Sequence, residues 1–415
     1  MLHIVFASLS LTLPYLIPII AARRLSADAR LLVSIFLCFK ALEDCVFLVP
    51  SYIIEYTMNP SDALYVNLQF VVFTNFIINI LLALAINRGR KIAKKISEPS
   101  IWKQDQLIFK EAHILIFGII FLIAYIVLTG FLAIKDPRLA YQSERAGIGF
   151  VWAGFISLST MWVVIRIINH RPILLTFFVY SIFCVFSGSK GLLFAAFLPF
   201  LANPRASRRF RIKFLIVFLP IAFFGFLFLF GQLSAGEGLL IRLSMYFDMF
   251  HQSVRVFEDY LAHSFDFYFG KIYFSSLWQF VPRALYSEKP YAWGSTTLIE
   301  RYYPGMAETG HTPSFGQYTT DFADFGYFGF LSAIFNFDFI ILAYSLYVVS
   351  SGYRKNKKMY VLAYAVLIAP GIYFHLPLFI ALPIFYFLMK FRRGSKAIIS
   401  PRVAIIKDIE NRGML

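Results

Sequence analysis

The stretch ILLTFFVYSIFCVFSGSKGLLFAAFLPFLA, residues 173–202, decides how the whole chain is threaded. Two apolar arms flank the polar turn SGSKG. The stretch therefore reads either as one interrupted helix or as two short spans folded into a hairpin. Its flanks choose between them. RIINHRP precedes it and NPRASRRFRIK follows it. A single crossing would separate these basic segments across a bilayer, whereas Lys and Arg collect on the cytoplasmic side. The hairpin keeps both inside, with Gly188–Gly191 at its tip and Lys190 at the outer end.

The same logic extends outward. The 415 residues are 59% hydrophobic and only 15% charged, unlike a soluble domain. Continuous apolar runs, rather than alternating ones, argue for helices over a closed barrel. Because the runs cover the whole chain, a cleaved leader followed by a soluble body does not fit. Spans are expected near 2–21, 31–50, 64–86, 113–134, 148–168, 173–187, 191–202, 214–231, 326–349, 360–374 and 376–390. The expected fold is an all-α polytopic membrane protein of about 11 transmembrane helices, N-terminus outside and C-terminus inside. Of the 39 Lys and Arg residues, 28 fall in the connections assigned to the cytoplasm. The net charge of +16 is thus topological, and membrane lipids rather than nucleic acid are the expected partners. Cys38, Cys45 and Cys184 all lie in apolar runs and read as small buried hydrophobes.

This threading divides the chain into four parts. Residues 1–231 form an N-terminal bundle of about eight spans, and 232–325 a large extracytoplasmic loop. Residues 326–390 form the C-terminal spans, and 391–415 a cytoplasmic tail. A loop of that length is too long for an idle linker. It opens with an amphipathic pattern: Leu239, Leu243, Phe247, Phe250 and Val254 at helical spacing, with Arg242, Asp248, Arg255 and Glu258 between them. STTLIERYY predicts a further short helix with Ser295 or Thr296 as its N-cap. The loop ends in YYPGMAETGHTPSFGQYTTDFADFGYFG, residues 302–329, which is rich in Gly, Pro, Thr and acids.

The candidate chemistry clusters at this face. Arg283 and Lys289 stand next to prolines in VPRALYSEKPYAWG. A guanidinium with a nearby ammonium suits phosphate oxygens, or else pairs with Glu288 and lipid headgroups. Arg301 is flanked by Glu300, which favours pairing. Arg138 and Arg145 lie in another outer loop. His311 is a candidate proton acceptor, with Asp321 and Asp324 as rival bases or helix caps. His375 would face the same compartment. Within the second span, Lys40 has Glu43 and Asp44 at pairing distance along a helix, and Asp338 with Asn336 makes a second intramembrane polar point. No Walker A, GxSxG, HExxH or paired-Cys motif occurs, so neither ATP hydrolysis nor zinc chemistry has a sequence basis. No cofactor or metal is expected.

Many spans, one large outer loop before the last few, and the run VPRALYSEKPYAWGSTTLIERYYPG…GHTPSFGQYTTDFADFGYFG resemble the Wzy-type O-antigen and oligosaccharide repeat-unit polymerases. These are bacterial inner-membrane enzymes related in architecture to the O-antigen ligases. SGSKG resembles a Ser-Arg-Gly-like turn of that superfamily, with Lys190 where Arg is commoner. The resemblance implies transfer of a glycan from undecaprenyl diphosphate to a hydroxyl of another lipid-linked repeat unit at the periplasmic face. Diphosphate leaves, a chain-length regulator is a partner, and no metal is needed. On this reading Arg283, with Lys289, Arg138, Arg145 or Lys190, neutralises the diphosphate, and Arg255 and Arg301 add to the basic lid. His311 or a lid carboxylate such as Asp321 deprotonates the acceptor. An O-antigen ligase or a flippase-type transporter is the alternative.

Overall fold

A bilayer core offers backbone N–H and C=O groups no partner but each other, so long apolar runs become helices. The computed structural model describes residues 2–93, 105–108, 111–137, 139–140, 145–169, 171–188, 198–201, 249–281, 286–309, 315–352, 357–368 and 390–393, with isolated positions between them. The first span, His3–Ala22, joins α1 (Leu2–Thr12) to α2 (Leu16–Ala22) through a tight turn at Leu13–Tyr15 that contains Pro14. α3 (Ala27–Met58) and α4 (Asp62–Ala93) are 32 residues each. α5 (Glu111–Leu128), α6 (Arg145–Ile168) and α7 (Ile173–Phe186) complete the described N-terminal bundle. In the loop, α8 (Met249–Leu261), α9 (Lys271–Ser275) and α10 (Thr296–Tyr302) lead to α11 (Gln317–Phe325). α12 (Gly329–Phe335), α13 (Phe337–Ser351) and α14 (Lys357–Ile368) follow.

Among the described residues, four helices are long and apolar enough to cross a membrane: His3–Ala22, Asp62–Ala93, Glu111–Leu128 and Val151–Ile168. A fifth is added if Gln317–Phe335 and Phe339–Ser351, bent by 41°, count as one broken span. This is the architecture of a multi-pass helical membrane protein. The spans expected at 214–231 and 376–390, and most of 191–202, lie outside the described residues, as do Cys45's side chain and His375.

Three features differ from the sequence expectation. First, α3 does not stop at residue 50. About 20 residues suffice to cross the bilayer core, and α3 carries Pro50 inside it and runs on to Met58. The outer connection expected at 51–63 shrinks to the few residues before Asp62. Second, the span expected at 326–349 is broken at Asn336, whose backbone leaves the helical region (φ −57°, ψ 132°). Third, a two-stranded antiparallel ribbon accompanies the helices and touches α6 through its first strand. β1 (Asp105–Ile108) pairs with β2 (Lys390–Arg393), setting Asp105 opposite Arg393. It fastens the segment after α4 to the C-terminal tail.

Of the stretch that opened the reading, the first arm is described up to Gly188. α7 ends at Phe186, and the Trp152 Nε1–H donates to the Ser187 carbonyl at 2.7 Å. Gly188 then adopts φ 64°, a left-handed conformation that favours glycine. Lys190 and residues 191–197 lie outside the described residues.

Burial separates central from peripheral helices. In α6, 89% of the membrane-crossing window is buried, against 22% in α5, whose Phe117, Ile120, Ile123 and Val127 are exposed. α6 is therefore a central helix, and α5 offers its far face to lipid. Glu111, at the start of α5, accepts from Asn169 Nδ2 (3.0 Å), Arg171 Nε (3.2 Å) and Arg166 Nη1 (3.4 Å). This network pins α5 to the end of α6. A second core joins α3 and α4 to the loop through Tyr52, Phe70, Phe250, Phe257, Leu298, Phe315 and Phe322.

Candidate functional site

The loop is a folded layer seated on the ends of α3 and α4. The amphipathic pattern predicted a helix there, and α8 is that helix, with Phe250, Val254 and Phe257 buried. The pattern positions before Met249 lie outside the described residues. The first turn of a helix has N–H groups without intrahelical partners. Here the Phe250 N–H finds one on another element, donating to Ser51 Oγ of α3 at 2.8 Å. One turn along α3, Glu55 lies 3.0 Å through Oε2 from His251 Nδ1. Glu55 is 3% exposed, while the His251 side chain is 51% exposed. The other carboxylate oxygen, Oε1, is buried without a hydrogen-bond partner.

An aromatic wall stands beside this pair. The His3 ring is parallel to Tyr56 (centroids 5.1 Å apart) and edge-on to Tyr65 (5.0 Å). Its Nδ1 lies 3.2 Å from the Tyr52 hydroxyl. Tyr52 in turn meets Phe250 edge-on at 5.4 Å.

The far end of the loop is fixed by carboxylates. Asp324 accepts three backbone N–H groups: Gly270 (2.9 Å) and Ile272 (3.1 Å) on Oδ1, and Tyr273 (2.8 Å) on Oδ2. It caps α9, not the helix that follows it. Gly270, at φ 90°, gives the turn that aims these groups at it. Asp321 is 3% exposed and accepts from Ser332 Oγ (2.9 Å) and Gln317 Nε2 (3.1 Å), both on Oδ1, while Oδ2 is buried without a partner. The buried Ser253 Oγ donates to the Phe315 carbonyl at 2.7 Å, holding the chain just after the His311 segment against α8. A small cavity of about 10 Å³, the scale of one water, lies there among Asn67, Ser253, Phe315 and Thr319. Both polar atoms of the buried Asn67 amide lack partners.

The described basic residues hold this layer together. Arg255 Nη1 donates to the Tyr303 hydroxyl (2.7 Å), and that hydroxyl donates to Gln252 Oε1 (2.6 Å). Arg301 lies over the Phe265 ring at 4.3 Å and pairs with Asp259 at 3.6 Å, while Glu300 instead accepts from the Gly305 N–H. Asp259 also accepts from the Tyr302 hydroxyl at 2.8 Å. Burial first, and then Asp259, pushes that hydroxyl up from its ordinary value, so it stays a donor. Lys289 Nζ donates to the Val281 carbonyl (3.0 Å) and lies over Trp293 at 4.6 Å. Ser295 occupies the predicted N-cap of α10 without a side-chain cap bond; Thr296 Oγ1 accepts the Trp293 N–H instead, at 2.7 Å.

Arg283, His311, Arg138 and Lys190 lie outside the described residues. So do the side chains of Arg145, which begins α6, and of Glu43, Asp44 and Asp338. Among the described residues, no group of three His, Cys, Asp or Glu is placed to hold a metal. Glu55 and His251 are what sequence reading missed. Glu55 carried one available signal, a lone acid in SYIIEY just past a span. Its partner is 196 residues away, and nothing local announces the pair.

No family model matches the chain, and no solved structure matches it. Two curated proteins do. The O-antigen polymerases of Salmonella typhimurium (strain LT2) and Salmonella typhi are each 25% identical over 209 residues. The aligned region is 47% of this chain and 49% of each relative, so the chain spans about half the length of the curated relatives it matches. Across about half of its length, then, this chain is similar to O-antigen polymerases, in keeping with the family its loop sequence resembles.

Proposed function

We propose that the chain polymerises lipid-linked oligosaccharide repeat units, O-antigen or a related surface polysaccharide, in the bacterial inner membrane. The observation that carries this reading is the similarity to two relatives named O-antigen polymerase. A folded loop seated on the helix ends supports it, since both substrates are anchored in lipid and must meet at that surface. The loop is the periplasmic layer and the C-terminus is cytoplasmic, following the charge distribution.

The growing glycan passes from undecaprenyl diphosphate to a hydroxyl of the acceptor unit, and diphosphate is the leaving group. Arg283, with Lys289, Arg138, Arg145 or Lys190, neutralises the charge building on it, as fixed cations do for phosphate leaving groups. To take part, the Lys289 ammonium would exchange its bond to the Val281 carbonyl for one to phosphate oxygen. Arg255 and Arg301 support the site by shaping the loop. A basic group of the loop removes the acceptor proton, and His311 is the candidate the sequence supplies. A chain-length regulator is the expected protein partner.

Purified protein given defined lipid-linked repeat units makes a ladder of products on this reading, whereas a ligase gives a single transfer. Arg283→Ala lowers the rate of ladder formation about 100-fold or more. A wild-type rate in that variant would remove Arg283 from the mechanism.

A further inference from the structure

We propose that His251, oriented by Glu55, is the base that takes the proton from the acceptor sugar hydroxyl. This rests on the polymerase reading and assigns the proton acceptor within it.

The argument starts from hydrogen-bond chemistry. A carboxylate only accepts, so at 3.0 Å from Glu55 Oε2 the His251 Nδ1 is the protonated nitrogen. That fixes the tautomer and leaves the lone pair on Nε2. The positioning is asymmetric in a useful way, since the carboxylate is buried and the imidazole is half exposed. A rigid buried acid behind an accessible imidazole is the arrangement that keeps a general base oriented and stabilises the imidazolium once it forms.

The surroundings point to the substrate class. Glu55 lies in the last turns of α3, at the end opposite Arg23, Arg24 and Arg30. His251 lies in the first turn of α8, whose backbone is tied to α3 by the Phe250–Ser51 bond. Beside Glu55, the half-buried Tyr56, Tyr65 and His3 make an aromatic wall, backed by the fully buried Tyr52. Flat aromatic faces with a few fixed polar groups suit a sugar ring.

In the step itself, the acceptor O–H proton moves to His251 Nε2 while that oxygen attacks the anomeric carbon of the donor glycan. A glycosidic C–O bond forms, and the bond from that carbon to the diphosphate oxygen breaks. Its electron pair leaves with the lipid diphosphate, and the imidazolium returns its proton to water. No oxidant, nucleotide or further reactant is involved.

The test uses the full-length protein in lipid nanodiscs with defined lipid-linked repeat units, reading ladder formation. His251→Ala lowers kcat about 100-fold or more with KM little changed, and added imidazole restores part of the rate. Glu55→Ala, a positioning change, lowers kcat about 10-fold or more without that rescue. Should His251→Ala fail to elute as a single folded species, His251→Gln, closer in shape, takes its place in the same assay. A His251 or Glu55 variant within twofold of wild type, or a His251→Ala loss that imidazole leaves untouched in folded protein, overturns the assignment. If wild-type protein makes no ladder at all, the polymerase reading falls, and this inference with it.

Discussion

Asp324 shows how one side chain can set the shape of a loop. Three backbone N–H groups converge on its two oxygens, filling most of the acceptor capacity of a carboxylate. Removing it leaves those donors without a partner in a largely buried setting. Asp324→Ala is therefore expected to cost about 3 kcal/mol, read as a lowered thermal midpoint in detergent, with faster proteolysis around α9. The sequence pointed to Asp321 and Asp324 as bases or caps of the incoming helix, whereas Asp324 caps α9 instead. The capped helix could not be read, because Gly270, the residue that opens it, lies 54 positions earlier than the cap. Arg301 repeats the lesson: pairing was legible from its acidic surroundings, yet the partner is Asp259 rather than its neighbour Glu300.

Among the elements, α4 and α13 approach each other closely at Gly89. A Cβ there would lie 2.5 Å from the Tyr347 carbonyl and 2.7 Å from Ser350 Cβ, both on α13. Gly89→Leu must push the helices apart, so little folded protein should be recovered from membranes. Gly118 in α5 is the control. A Cβ there would meet Leu158 and Phe183 at 3.6 Å, an ordinary contact, so Gly118→Ala stays within about 0.5 kcal/mol of wild type by thermal unfolding. Hydropathy located the centres of these helices well and their ends poorly. A span ends, for a hydropathy pattern, where lipid ends. α3 continues as SYIIEYTM because protein replaces lipid there: Tyr52 packs on Phe250, and Ser51 and Glu55 bond to α8. That extension holds half of the proposed catalytic pair, so the part of the helix hardest to read is the part that matters chemically.

For the whole molecule, orientation is the quantity to measure. With native cysteines replaced, a single Cys at exposed Glu288 should react with a membrane-impermeant maleimide in intact spheroplasts. A Cys at exposed Arg24 should react only after permeabilisation. The opposite pattern would invert the topology and move the loop to the cytoplasm. The helical membrane architecture was legible because bilayer thickness and charge asymmetry act on every span independently. Partners within the loop were not legible: Lys289 meets Trp293 and the Val281 carbonyl rather than the adjacent Glu288 the sequence offered. What brings Glu55 to His251 is the packing of a loop onto helices made much earlier.

That separation has a consequence in time. The Ser51–Phe250 bond joins residues 199 positions apart. At translation speeds of about 5–20 residues per second, α3 is in place roughly 10–40 seconds before α8 has been synthesised. Throughout that interval the polar last turns of α3, with Ser51 and Glu55, await partners still on the ribosome or not yet translocated. The outer layer therefore assembles only after α3 and α4 are in place, and a nascent chain stalled before residue 249 would hold inserted helices without it.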